Sequence, residues 1–313
     1  MTARARSAAA YLALHRSGAL AERARRAVAL LERCELCPHH CRADRVHRTV
    51  GAVCRAGRRA VVSSFFGHHG EERCLSGAGG SGTIFFGLCN LHCVYCQNWD
   101  LSWHGDGDEV TADELAGMML ELQRQGCHNV NLVSPSHVVP QILEAVALAA
   151  DRGLRLPLVY NTGGYDGPEA LALLDGVVDV YLADLKYGDS EVARRYSRAP
   201  GYFEVAGSAI REMHRQVGDL VLSDDGLARR GLLVRHLVLP GGRAGTEAAM
   251  RFLATEVSSA TWVNLMDRYR PCYRAAEHPE LARPPTAAEL AAAAAAARAA
   301  GITRFDPAGV QPE

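Results

Sequence analysis

Three cysteines, Cys89, Cys93 and Cys96, fall in the run Gly87-Leu-Cys-Asn-Leu-His-Cys-Val-Tyr-Cys-Gln-Asn98, directly after an apolar segment. A Cys-x3-Cys-x2-Cys loop can wrap three thiolates around one cuboidal iron-sulfur cluster, whose four irons ordinarily take four protein ligands. One iron is left open. S-adenosylmethionine (SAM) can chelate an open iron through its amino and carboxylate groups, which sets its sulfonium beside the cluster and makes one-electron cleavage accessible. The spacing points to radical chemistry. A zinc knuckle or a set of buried thiols is the bland alternative, but zinc usually wants a fourth Cys or His nearby, and buried thiols follow no spacing rule.

With aromatic Tyr95 just before its third cysteine, the triad resembles the radical SAM superfamily. Gln97-Asn98 and the later Asp184-Leu-Lys186 are most similar to the pyruvate formate-lyase activating enzymes and their uncharacterised relatives, a likeness that spans roughly residues 60–275. The resemblance implies a [4Fe-4S] cluster on Cys89, Cys93 and Cys96, SAM as cofactor, and a reduced flavodoxin or ferredoxin as electron donor. It further implies reductive cleavage of SAM to a 5'-deoxyadenosyl radical that abstracts hydrogen. Its substrate is open between a glycine on a partner protein, as for a glycyl-radical activase, and a small molecule or peptide natural product. A non-catalytic iron-sulfur electron-transfer or metal-binding protein is the alternative of another class, disfavoured because the loop leaves an iron open.

Such chemistry needs a scaffold that brings distant residues to one end. From residue 83 onward, short apolar segments alternate with amphipathic stretches, the pattern of repeated βα units on a parallel sheet. The strands are expected at 83–86, 129–133, 156–160, 178–183, 232–238 and 262–266, which makes an α/β chain with a partial (β/α)6 TIM-like barrel. Thr111-Ala-Asp-Glu114 and Thr286-Ala-Ala-Glu289 are capping boxes that open helices. An Asp-Gly pair at 225–226 predicts a hairpin, and 287–300 an Ala-rich exterior helix. The division expected is a helical, Cys/His-rich extension over 1–80 and the barrel with its C-terminal helix over 81–313. The Gly-rich run 75–82 lacks the Lys-Ser/Thr ending of a phosphate loop and is expected to be a tight connection.

Ligands of parallel barrels gather at the C-terminal ends of the strands. The first exit carries the three cysteines. At the second, where the resemblance implies a Gly-Gly-Glu segment for the SAM amino group, this chain has Ser134-Pro-Ser-His137, and Ser134 with nearby carbonyls is the acceptor expected there. His137 is read as a site residue or as a structural hydrogen bonder at a helix start. The third exit gives Asn161-Thr-Gly-Gly-Tyr-Asp166, whose glycines allow close backbone approach and whose Asn161 and Thr162 can reach ribose hydroxyls, a plain turn being the alternative. At the fourth, Asp184 and Lys186 stand two apart and so share a face. The resemblance implies that they hold the carboxylate and ribose region of SAM. Arg235, a charge inside an apolar run, needs a partner, and the cofactor carboxylate is a suitable one. It also matches an arginine of the activating-enzyme pattern. Past the sixth strand lie Asn264, Asp267, Arg268 and Tyr269 as substrate-side candidates, and Cys272, whose thiol is a candidate hydrogen-atom donor to a substrate radical.

Cys34, Cys37, Cys41 and Cys54, beside His39 and His40, are spaced for a second metal, either zinc or a second iron-sulfur cluster. The segment 63–74 adds His68, His69, Glu71 and Glu72, which either cover the active site or form a solvated loop. Ten cysteines clustered toward the N-terminus fit metal ligation in a reducing, cytoplasmic compartment better than a disulfide framework. The net charge of -1, with no dominant basic run, argues against nucleic acid as a main partner. No apolar run reaches the ~20 residues of a membrane span.

Overall fold

A computed structural model describes residues 8–311. Its strands are β1 (Ala60–His68), β2 (Ser81–Phe86), β3 (Asp108–Val110), β4 (Val130–Val133), β5 (Leu158–Thr162), β6 (Val180–Asp184), β7 (Val221–Leu222), β8 (Ala228–Leu237), β9 (Trp262–Met266) and β10 (Arg304–Phe305). Its helices are α1 (Tyr11–Arg16), α2 (Ala19–Ala29), α3 (Arg73–Ser76), α4 (Ala112–Arg124), α5 (Val139–Asp151), α6 (Pro168–Leu174), α7 (Ser190–Ser197), α8 (Tyr202–Val217), α9 (Thr246–Phe252) and α10 (Ala287–Ala299).

The sheet order is β10-β9-β8-β6-β5-β4-β2-β1-β3, and β7 pairs with β8 as the expected hairpin. From β2 to β10 every neighbouring pair is parallel, while β1 runs antiparallel between β2 and β3. Six parallel strands, β2, β4, β5, β6, β8 and β9, thus line an open barrel whose two edges do not pair among the described residues. Both capping boxes form, Thr111 with Glu114 on α4 and Thr286 with Glu289 on α10. Strand residues alternate between two cores. Tyr160, Tyr181, Leu232 and Val234 belong to the large core under the helices, whereas Val159, Val180, Leu182 and Leu233 belong to a small one in the barrel lumen.

The residues before the barrel are built into it. The division read at residue 80 falls between β1 and β2, which pair from Val62↔Phe86 to His68↔Ser81, so residues 60–68 extend the barrel sheet. Upstream, α2 turns Leu20, Ala24 and Ala27 inward and packs on α5. The β1–β2 connection is not a lid over the strand exits: His69 and Gly70 stay exposed, while Glu72, Cys74 and Leu75 turn inward. Its Cys74 and Leu75 join the lumen core, and the Leu75 carbonyl accepts from Asn129 Nδ2 (2.9 Å), which closes the barrel at the N-terminal ends of its strands. Burying an apolar side chain such as Leu75 is worth about 1.5–3 kcal/mol, enough to insert the short α3 there.

Among the described residues no helix is long and apolar enough to cross a membrane.

Candidate functional site

At the exit of β2 the chain turns through Leu88, whose φ of 67° is left-handed, and enters the cysteine loop. Two main-chain bonds hold that loop against the end of α7: His92 N–H donates to the Ser197 carbonyl (3.0 Å) and Val94 N–H to that of Tyr196 (2.8 Å). Each sulfur then meets one donor. Leu91 N–H points at Cys89 Sγ (3.3 Å), the Ser197 hydroxyl at Cys93 Sγ (3.0 Å) and the Ser102 hydroxyl at Cys96 Sγ (3.2 Å). Burial pushes the Cys89 thiol up to about 12 and that of Cys93 up to about 11; nearby thiols reinforce this and the Lys186 charge pulls back. Thiols so placed give up their protons to a metal.

One cavity is shared by all three cysteines with Ser134, Asn161, Thr162, Asp184, Lys186 and Arg235. Sequence spacing of over 140 residues is thus collapsed onto one barrel mouth. Asp184 Oδ2 accepts from Lys186 Nζ (2.5 Å) and its Oδ1 from Arg235 Nε (2.7 Å). Burial pushes the Asp184 carboxyl up, but Arg235 and then Lys186 outweigh it and hold it below its ordinary value. Burial likewise works against the Lys186 ammonium, and Asp184 overcomes it. Arg235 Nη2 also donates to Asn161 Oδ1 (2.7 Å). Three charges and one carboxamide therefore form a single buried unit.

Ser134, in place of the implied Gly-Gly-Glu, adopts a φ of 59° that glycine would take freely, and its N–H donates to the Asn161 carbonyl (2.9 Å). Thr162 lines the cavity but its hydroxyl is committed to Asp166 Oδ2 (2.5 Å), with Ser136 Oγ at 3.0 Å. His137 sits behind the loop. Its Nε2 donates to the Gly87 carbonyl (3.0 Å), and burial pushes it down to about 3, so it is a neutral clamp on the loop's first residue. Cys272 is not brought to the cavity. A turn in which Ala275 N–H meets the Cys272 carbonyl, and an Arg274 N–H bond to the Val94 carbonyl (2.9 Å), tie its segment to the cysteine loop, and Cys272 does not line the cavity. Tyr269 is buried with its hydroxyl on the Leu281 carbonyl (2.7 Å), and Asn264 faces the lumen floor.

That floor is acidic and amidic. Glu71 Oε2 accepts from Asn131 Nδ2 (3.3 Å) and Asn161 Nδ2 (3.4 Å) and lies 3.8 Å from Arg235 Nη1, while Glu72 Oε1 accepts from Asn264 Nδ2 (2.8 Å). Burial raises the Glu72 carboxyl and Arg235 only partly offsets it. Among the described residues, three buried oxygens here find no donor: Glu72 Oε2, Asn131 Oδ1 and Asn264 Oδ1.

The N-terminal thiols also gather. Cys54, Cys34 and Cys41 all act on Cys37, which burial pushes up to about 12. Left-handed turns at His40, Arg42 and Arg55 curl this segment, and Arg45, 1% exposed, donates to the Ala56 and His137 carbonyls (2.7 Å each) and points Nη1 at Cys34 Sγ (3.4 Å). A buried guanidinium facing a sulfur rather than a carboxylate suits an anionic thiolate set. The unit touches the cysteine loop on both sides of Cys89, through Leu88 packed with Cys54 and His39 Nε2 on the Asn90 carbonyl (2.8 Å). Among the described residues no group of three His, Cys, Asp or Glu is set to hold a single metal ion.

Sequence reading passed over Ser102, Ser197, Tyr187 and Tyr202, the last of which accepts from Lys186 N–H (2.9 Å) and fixes the Asp184–Lys186 turn. They are common residue types with no spacing signal.

Residues 83–222 match the Radical SAM superfamily. An uncharacterised protein of Methanocaldococcus jannaschii, MJ0674, is 33% identical over 269 residues, covering 83% of this chain and 73% of that protein. Among solved structures, Streptococcus suis SuiB bound to precursor peptide SuiA aligns with a TM-score of 0.43 at 11% identity over 66% of this chain. TsrM, a radical S-adenosylmethionine methyltransferase from Kitasatospora setae with cobalamin and a [4Fe-4S] cluster bound, aligns with a TM-score of 0.41 at 18% identity over 57%. This chain spans 42% of the SuiB chain and 35% of the TsrM chain.

Proposed function

Since the chain belongs to the radical SAM superfamily, we propose that Cys89, Cys93 and Cys96 hold three irons of a [4Fe-4S] cluster and that the adjoining cavity takes SAM. Together, when bound, these groups supply reductive cleavage of SAM to a 5'-deoxyadenosyl radical that abstracts hydrogen from a substrate. The observation that carries this reading is the single cavity in which three sulfurs, each with its own hydrogen-bond donor, meet the Asp184, Lys186 and Arg235 unit.

In this reading Lys186 and Arg235 orient the cofactor's carboxylate, and Asp184 keeps two buried cations compatible in one place. Asn161 and the carbonyl of Ser134 accept from its ribose and amino groups. Thr162, bonded to Asp166, shapes the wall. The apolar side chains of Phe85, Phe86 and Leu91 exclude water from the reacting centre. A reduced flavodoxin or ferredoxin is the proposed electron donor, and Cys34, Cys37, Cys41 and Cys54 the ligands of a second iron-sulfur cluster or of zinc.

For the substrate, one reading is a glycine on a partner protein, which makes the chain a glycyl-radical activase. The other is a small molecule or peptide, for which the polar wall of the cavity, with Asn161, Asp184, Lys186 and Arg235, supplies donors and acceptors. Anaerobic reconstitution followed by iron analysis and assay of 5'-deoxyadenosine under reductant tests the class. Iron uptake without any 5'-deoxyadenosine would mean a non-catalytic electron-transfer or metal-binding protein. Stimulation by a glycyl-radical polypeptide with a glycyl signal in electron paramagnetic resonance selects the activase, and stimulation by small polar compounds selects the other.

A further inference from the structure

A buried row of hydroxyls leads to the middle cysteine. The Ser197 hydroxyl is 3.0 Å from Cys93 Sγ, the Tyr187 hydroxyl 2.7 Å from that of Ser197, and the Tyr95 hydroxyl 2.7 Å from that of Tyr187. None of the four side chains is more than 9% exposed, so water does not compete for these bonds. Each hydroxyl has one proton to give. A ligating thiolate has none, so the Ser197 proton must point at Cys93, which obliges Tyr187 to donate to Ser197 and Tyr95 to donate to Tyr187. All three dipoles then run toward the sulfur. Hydrogen bonds in such a chain polarise one another, and the last is stronger than a lone hydroxyl would make. Cys89 and Cys96 each have a donor, but among the described residues neither the Leu91 N–H nor the Ser102 hydroxyl is continued into a comparable row.

We infer that Tyr95, Tyr187 and Ser197 act through Cys93 as positioning residues that set the reduction potential of the cluster, raising it above the value it would have with Cys93 unbonded. The inference rests on the cluster assignment proposed above. An electron arriving from the donor adds negative charge to the iron-sulfur core and its thiolates. Donors aimed at a sulfur favour the reduced state more than the oxidised one, and potentials of such clusters follow the hydrogen bonds to their sulfurs. No proton crosses the row, since every hydroxyl already donates in the direction that the charge favours.

The test is a potentiometric titration of the reconstituted full chain, with the reduced cluster followed by electron paramagnetic resonance. Ser197→Ala is expected to make cluster reduction about tenfold less favourable, a downward shift of about 59 mV for a one-electron couple. Tyr187→Phe, which keeps the ring, should shift it in the same direction by less, and Tyr95→Phe by less again. Ser197→Thr restores the hydroxyl and with it the potential. Iron content and the unfolding midpoint are measured on every variant, because a merely structural role would move these and leave the potential alone. An iron-replete Ser197→Ala with the parent's potential overturns the inference. A shift in Ser197→Ala with none in either Phe variant overturns the row as a unit. Should Ser197→Ala fail to fold, Tyr187→Phe carries the decision by the same criterion. A parent that takes up no reducible cluster refutes instead the assignment on which the inference stands.

Discussion

Lys186 and Arg235 both grip Asp184, yet removing one or the other should have different consequences. In Lys186→Met the Asp184 carboxylate keeps its Arg235 bond at 2.7 Å, and most of the side-chain length survives. The cofactor loses one charge-assisted contact, about 1.5–3 kcal/mol, or roughly one to two decades in SAM affinity. Arg235→Met is a larger insult. It strips a partner from Asp184 Oδ1 and Asn161 Oδ1 and removes the cation 3.8 Å from Glu71, leaving Asp184 with Lys186 alone and Glu71 without its guanidinium. Breaking a buried charge set from one side costs about 3–5 kcal/mol, so the loss should fall on folding itself. Urea unfolding by circular dichroism and SAM binding by equilibrium dialysis, both on iron-replete protein, separate the two. The expected pattern is a Lys186→Met protein of nearly parental stability with weakened SAM binding, and an Arg235→Met protein that is markedly less stable. Parental SAM affinity in Lys186→Met, with failure only in product formation, would move this residue to the substrate side. An Arg235→Met protein as stable as Lys186→Met would refute Arg235 as the hub of the unit.

Burial pushes Asp179 up to about 6, so the folded state binds its proton more tightly than the unfolded chain does and this group's contribution to stability falls by roughly 3 kcal/mol as pH rises from about 4 to about 6. Asp179→Asn should flatten that part of the curve, and an undiminished slope in urea midpoints between pH 4.5 and 6.5 would count against it. Alanine at Cys89, Cys93 or Cys96 is expected to abolish the site cluster and SAM cleavage, whereas Cys34→Ala/Cys37→Ala should lower metal content but keep the SAM-induced spectral change; metal analysis finding no loss of iron or zinc in the double variant would remove the second site. Gly153 and Gly164 both have left-handed φ, 97° and 80°, but a Cβ at Gly153 meets open space and one at Gly164 strikes the Asp184 carbonyl. Gly164→Ala should therefore exceed the ~1 kcal/mol conformational penalty of Gly153→Ala and weaken SAM binding too, and equal unfolding midpoints would contradict the contact.

The six parallel strands were legible because apolar runs buried on both faces leave a continuous mark in the sequence. Where the reading slipped, a local reason exists: the strand expected at 156–160 begins at Leu158, since Pro157 has no N–H and offers only its carbonyl, to Val130 N–H. The slip carries Asn161 and Thr162 onto the strand itself. The cysteine loop, the capping boxes and the shared face of Asp184 and Lys186 depend on neighbours within a few residues, so spacing alone announces them. The lumen floor and the hydroxyl row do not. Glu71 reads as a solvated charge until α3 inserts it beneath Arg235, and Tyr187 reads as one more apolar residue until it lies between Ser197 and Tyr95. Their roles arise from contacts across 10 to 164 residues of chain, and only the closing of the barrel determines which hydroxyl faces which sulfur and which carboxylate meets which cation.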